Sequence, residues 1–129
     1  MRRPIDQIAA IAATVYQADQ ARLVELDREE SRLCEQLAEI DRAEADLRQR
    51  QTAAPDAARI NGADELWRQW IEIRRTAIMS ERFKVRAKRT DLMFDLRKSF
   101  GRSTAADAAA RLEEANDRRR RARREDWGA

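Results

Sequence analysis

The stretch Gln51–Gly62, QTAAPDAARING, decides the fold. Pro55 has no N–H to give a helix and disfavours helical geometry in the residue before it, so a helix arriving from upstream ends at or before Ala54. Asn61-Gly62, followed by Asp64 and Glu65, is the reverse signal: Asn61 caps a new helix, and the two acids sit on its positive end. Outward from this turn, residues 5–54 and 63–100 contain no glycine or proline and are dense in Ala, Leu, Arg, Glu and Gln. Those residue types lose least on entering a helix. The expected fold is all-α: an elongated antiparallel helical hairpin, a two-stranded coiled coil. Its first helix covers about 4–52, its return loop about 53–62 and its second helix about 63–100. Gly101 then interrupts, and Thr104-x-x-Asp107 has the form of a capping box opening a C-terminal helix over about 104–125. Gly101 leaves two readings open, a kink in one arm or a break between two helices.

Apolar spacing supports the hairpin. Leu23, Leu26, Leu33, Leu37, Ile40 and Leu47 fall in steps of three, four and seven, with Glu30 and Glu44 completing the series, which is a coiled-coil stripe. Upstream, Ile8, Ile11, Val15 and Ala18 form a second such series out of step with the first, so a stutter is expected between Val15 and Leu23. In the second helix Ile71, Ile78, Val85 and Leu92 recur every seventh residue, extended by Trp67 and Leu96. The companion seam position there is mostly charged, at Arg74 or Arg75, Arg82, and Lys88 or Arg89. Pro4 suits the first turn of the first helix, where its missing N–H has no partner to lose.

Composition limits what such a chain can do. Of 129 residues 40% are charged and only 5% aromatic, too little apolar material for a large globular core but enough for a narrow seam. Residues 1–50 carry 8 basic and 11 acidic groups while residues 63–100 carry 10 and 6, so the two arms attract each other. The chain has no histidine and one cysteine, Cys34, which excludes an intrachain disulfide and a Cys/His metal cluster. Cys34 reads as filler beside the Leu33/Leu37 seam. Paired acids such as Glu29-Glu30 and Glu113-Glu114 have no pocket to tune them on such a scaffold, so an enzyme is not expected. No cofactor or small-molecule substrate is expected either, since phosphate loops, nucleophile elbows and metal-ligand spacings are missing. Met1-Arg2-Arg3 and the apolar run from Ile8 to Tyr16 mimic a secretory signal. The run is short, rich in alanine and continuous with the helix, and reads as mature protein. No stretch has the length of a membrane span, so membrane insertion is not expected.

Two surfaces stand out. Trp70, Ile73, Ala77, Ser80 and Lys84 follow three/four spacing on a face rotated about 100° from the Ile71 column, and Trp is enriched at binding hot spots. The competing reading is that Trp67 and Trp70 plug the hairpin tip. Arg118–Arg124, RRRRARR, is the strongest local charge signal. Its reading is a solvated or protein-docking helix end, flanked as it is by Asp117, Glu125 and Asp126 and lacking interleaved aromatics. Nucleic-acid binding through this segment is the alternative, and self-assembly of the coil is a third reading.

The long first helix, the short return, the charged C-terminal helix and the aromatic opening Asp64-Glu65-Leu66-Trp67-Arg68-Gln69-Trp70-Ile71 resemble the FliJ/YscO group, stalk proteins of the ATPase complex in flagellar and type III protein export. The resemblance implies a non-enzymatic cytoplasmic stalk, peripheral to the inner membrane through the export apparatus. It would insert the end bearing both termini into a hexameric export ATPase and link that ring to the export gate, with export chaperones as further partners. It implies that Trp67, Trp70, Ile73, Ala77, Ser80 and Lys84 meet the gate. It also implies that Ile5, Ile8, Ile11, Val15, Arg111, Arg118, Arg119, Arg120 and Arg121 form the ring-facing end.

Overall fold

A computed structural model describes residues 3–53 and 62–128. The protein is an all-α helical hairpin of two helices packed against each other, α1 (Pro4–Ala53) and α2 (Ala63–Gly128), with no strand among the described residues. Pro4 opens α1 as expected: the Arg3 carbonyl accepts from the Asp6 and Gln7 amides at 3.0 and 3.3 Å, and Asp6 lies in the first turn. At the start of α2, Gly62 sits at φ +62°, a left-handed conformation open to glycine at little cost, and its carbonyl accepts from the Leu66 amide at 3.4 Å. Asp64 and Glu65 occupy the first turn of α2, on the positive end of the dipole. The expected helix stop at Pro55, the cap at Asn61 and most of the return loop lie outside the described residues.

The chain divides into two units. In residues 24–90, Leu33, Ile40, Ile71, Ile78 and Val85 form a buried cluster, with Leu26, Leu37 and Trp67 packed against it. These are the residues of the two expected stripes, and Leu33 is 1% exposed. Beside this apolar strip runs an ionic one. The seam column between the aliphatics of α2 is Arg68, Arg75, Arg82 and Arg89, seven residues apart, and three of the four bond acceptors on α1. Arg75 reaches Glu44 and, at 3.2 Å, Asp41; Arg89 donates to Asp27 at 2.9 Å; Arg68 donates to Gln51 at 3.1 Å. Arg86, one turn from the column, donates to Glu30 at 2.8 Å. The charge asymmetry of the two arms is thus used as cross-helix pairing.

Residues 3–23 and 91–128 form the second unit, and its seam is built differently. The covered positions of α1 here are Ile5, Ala9, Ala12, Tyr16, Asp19 and Leu23, which continue the downstream phase in unbroken steps of four and three. There is no stutter. Ile8, Ile11 and Val15, expected in the seam, are instead 54%, 65% and 47% exposed. The face covered in this unit is the one carrying the small side chains Ala9 and Ala12, beside the expected series rather than on it.

Across from them α2 contributes Leu92, Leu96, Ser99, Ser103, Ala106 and Ala110, again in steps of four and three. This series runs through Gly101 in phase, so the separate C-terminal helix expected from residue 104 is replaced by one helix, and Thr104 and Asp107 lie in its interior. Gly101 is exposed, with nothing within 4 Å of where its Cβ would be. Its cost is only the helix propensity of glycine, about 1 kcal/mol, less than a continuous seam returns. Tyr16 packs on Phe100, ring centroids 5.4 Å apart, and Arg3 bonds Asp117 at 2.9 Å.

Candidate partner-binding surfaces

The cross-helix ion pairs contribute to how the hairpin responds to acid. The hydrogen bond from Arg86, reinforced by Arg82, holds the Glu30 carboxyl below the usual glutamate range. The hydrogen bond from Arg75, reinforced by Arg48, does the same for Glu44. A carboxyl depressed in the folded state stabilises the fold above its unfolded pKa, about 4.3 for Glu, and this contribution is lost as pH falls through the folded value. Thermal melts followed by circular dichroism between pH 7 and pH 3 are therefore expected to be flat down to about pH 5 and to fall below it. A Glu30→Gln, Glu44→Gln variant is expected to melt lower at neutral pH and to lose less on acidification. Parallel acid limbs for the variant and the parent would show that these pairs do not carry the effect.

On the outer face of residues 63–90 the structure separates the two tryptophans. Trp67 is half-buried against the apolar cluster, part of the hairpin's own packing. Trp70, three residues on, is 57% exposed, and Ile73 is 71% exposed. Ala77, Ser80 and Lys84 are exposed as well. The six residues assigned to the gate thus divide into one that packs inward and five that share the outward face. Leu66, 68% exposed and four residues before Trp70, belongs to the same stripe; its spacing signal was present in the sequence. Phe83, 75% exposed, and Met79, 56% exposed, enlarge the apolar surface on the next face. They follow no long periodic series, and nothing in the sequence separated them from core residues.

At the other unit, Ile5 is half-buried in the seam, whereas Ile8, Ile11 and Val15 stand on one flank. With Ala12 of α1 and Ser99, Arg102, Ala105 and Ala106 of α2 they line a groove of about 480 Å³. Arg111 pairs with Asp107 at 3.1 Å, Arg118 with Glu114 at 3.7 Å and Arg120 with Asp117 at 3.7 Å. Arg119 and Arg121 are exposed and make no ion pair among the described residues. A polar hollow of about 390 Å³ lies among Arg3, Glu114, Asp117, Arg118 and Arg121. Cys34 is a half-buried free thiol. No cluster of His, Cys, Asp or Glu with metal-binding geometry occurs among the described residues, and no described helix is long and apolar enough to cross a membrane.

The fold and these surfaces define a helical hairpin whose exposed apolar side chains are gathered on helix faces. Comparison with protein-family models, curated proteins and solved structures finds no match to this chain.

Proposed function

We propose that the protein is a non-enzymatic coiled-coil stalk that couples the ATPase ring of a type III or flagellar protein-export system to its membrane export gate. The observation that carries this reading is the apolar stripe of Leu66, Trp70, Ile73 and Ala77, which faces away from the seam and has no structural task in the hairpin. A two-stranded coil needs one covered face per helix, so a second apolar face is surplus until a partner covers it. In this reading Trp70 and Ile73 anchor the gate, with Ser80 and Lys84 at the polar edge. The exposed arginines around residues 111–121 and the flank of Ile8, Ile11 and Val15 meet the ATPase ring in the cytoplasm. The work is mechanical: each end is held by a partner, and no step of chemistry occurs on the chain.

The test is a Trp70→Ala, Ile73→Ala variant titrated against the cytosolic portion of the gate protein. Both side chains are exposed, so helicity and the denaturation midpoint are expected to stay near parental values. Affinity is expected to fall at least about tenfold, as loss of interface anchors does. Unchanged affinity would overturn the assignment.

A further inference from the structure

We infer that the groove between Ile8–Val15 of α1 and Ser99–Ala106 of α2 is a docking site for an amphipathic α-helix of another protein, apolar on one face and edged by carboxylates. The groove exists for a stated reason. The seam here is made of Ala9, Ala12, Ser99, Ser103 and Ala106, whose side chains are too short to fill the space beside it, while Ile8, Ile11 and Val15 rise as one wall. The opposite wall and floor are Ala105, Ala106 and the stem of Arg102. The walls repeat at helical spacing, 8, 11 and 15, which is the pattern a third helix meets when it packs into the groove of two others.

Charge selects the occupant. Arg102 is the one charged residue lining the groove; it is exposed and makes no ion pair among the described residues. Lys98, one turn earlier on the same helix, is likewise exposed without an ion pair there. No carboxylate lines the groove, and the nearest acid on that side of α2, Asp95, lies about two turns from Arg102. From Gln7 to Ala18 α1 carries no charge at all. A helix with basic edges would set like charges together, whereas one with Glu or Asp beside its apolar face gives Arg102 its missing partner. A second copy of the chain fits poorly: a two-fold axis through this surface would present the same cation and the same lack of carboxylates from both sides. In the export reading this same flank meets the ATPase ring, whose carboxylate-edged helix would then be the occupant; peptide binding to the groove and affinity for the gate are separate measurements, and either can fail without the other.

The experiment uses the full chain and two designed peptides of about four helical turns. Both have leucine on one face, flanked by glutamates in the first and by lysines in the second, and binding is read by fluorescence anisotropy. The glutamate-edged peptide is expected to bind saturably and the lysine-edged one more weakly. Ile11→Ser with Val15→Ser, both exposed and harmless to helicity, is expected to weaken binding at least about tenfold by removing buried apolar contact. Arg102→Glu is expected to invert the preference between the peptides. Equal binding of both peptides, binding indifferent to Ile11→Ser with Val15→Ser, or a preference unmoved by Arg102→Glu would overturn the proposal. So would a parental homodimer that Ile11→Ser with Val15→Ser dissolves, because the groove would then belong to a second copy.

Discussion

Leu33→Ala is expected to destabilise the hairpin by about 2–5 kcal/mol, measured as a shift of the urea midpoint at constant slope. Leu33 is 1% exposed and lies in the cluster with Ile40, Ile71, Ile78 and Val85. Truncation removes its transfer free energy and leaves a hole that two helices held by neighbouring heptads cannot close. The same change at Ile11, 65% exposed, is expected to stay within about 0.5 kcal/mol. The contrast is informative because both residues belong to apolar series of similar spacing. If Ile11→Ala costs as much as Leu33→Ala, the assignment of covered faces along α1 is wrong.

Arg82→Leu is expected to have the opposite sign, raising stability by about 1–3 kcal/mol in the same assay. Arg82 lies in the seam column between the buried residues Ile78 and Val85. Its Nε is buried without a hydrogen-bond partner, the closest carboxylate oxygen being that of Glu30 at 3.6 Å. Glu30 is already served by Arg86 at 2.8 Å, so removing Arg82 does not leave that carboxylate alone. Leucine ends the burial of an unsatisfied donor and adds apolar contact. At Arg75 the same replacement is expected to destabilise, because it removes the cross-helix bonds to both Glu44 and Asp41 and leaves Glu44 only Arg48 of its own helix, at 3.1 Å. An Arg82→Leu variant no more stable than its parent would mean that the guanidinium contributes something the geometry does not reveal.

The cost of Arg82 in stability has a counterpart in specificity. Arginines in the seam column of α2, set among acids on α1, penalise a rotation or partial slide that would set them against the aliphatic stripe of α1, where their charges would be buried unpaired. A thin apolar seam alone is permissive about register. The ionic column makes it less so.

Much of this was legible in the sequence. The stripe from Leu23 to Leu47 and the column Ile71–Leu92 could be read because large aliphatics there recur in phase over several heptads. The N-terminal seam could not, because Ala9, Ala12, Tyr16 and Asp19 carry a weaker apolar signal than the off-seam Ile8, Ile11 and Val15. Gly101 misled for a related reason: the alanines and serines on either side of it look like cap and linker chemistry, yet Ser99, Ser103, Ala106 and Ala110 hold a seam position each. Among the surface residues, periodicity found Trp70 and Ile73. It also set Trp67 in the Ile71 column and Trp70 on the outer face, as the packing has them; it was the family resemblance that assigned both tryptophans to the gate. The groove beside Ile11 arises from small residues on both helices at once, and no single stretch of sequence displays it.

The central claim is that α1 and α2 return along each other within one chain, so that the start of α1 lies beside residue 117. It is tested most directly with cysteines at Arg3 and Asp117 in a Cys34→Ser background, joined by a short bis-maleimide. The Arg3 and Asp117 side chains meet at 2.9 Å, and an intramolecular link migrating as a monomer is expected. A cysteine at Ser103, about 21 Å further along α2, should give none when paired with the one at Arg3. Only cross-linked dimers from the Arg3/Asp117 pair, or equal linking from the Arg3/Ser103 pair, would contradict the hairpin.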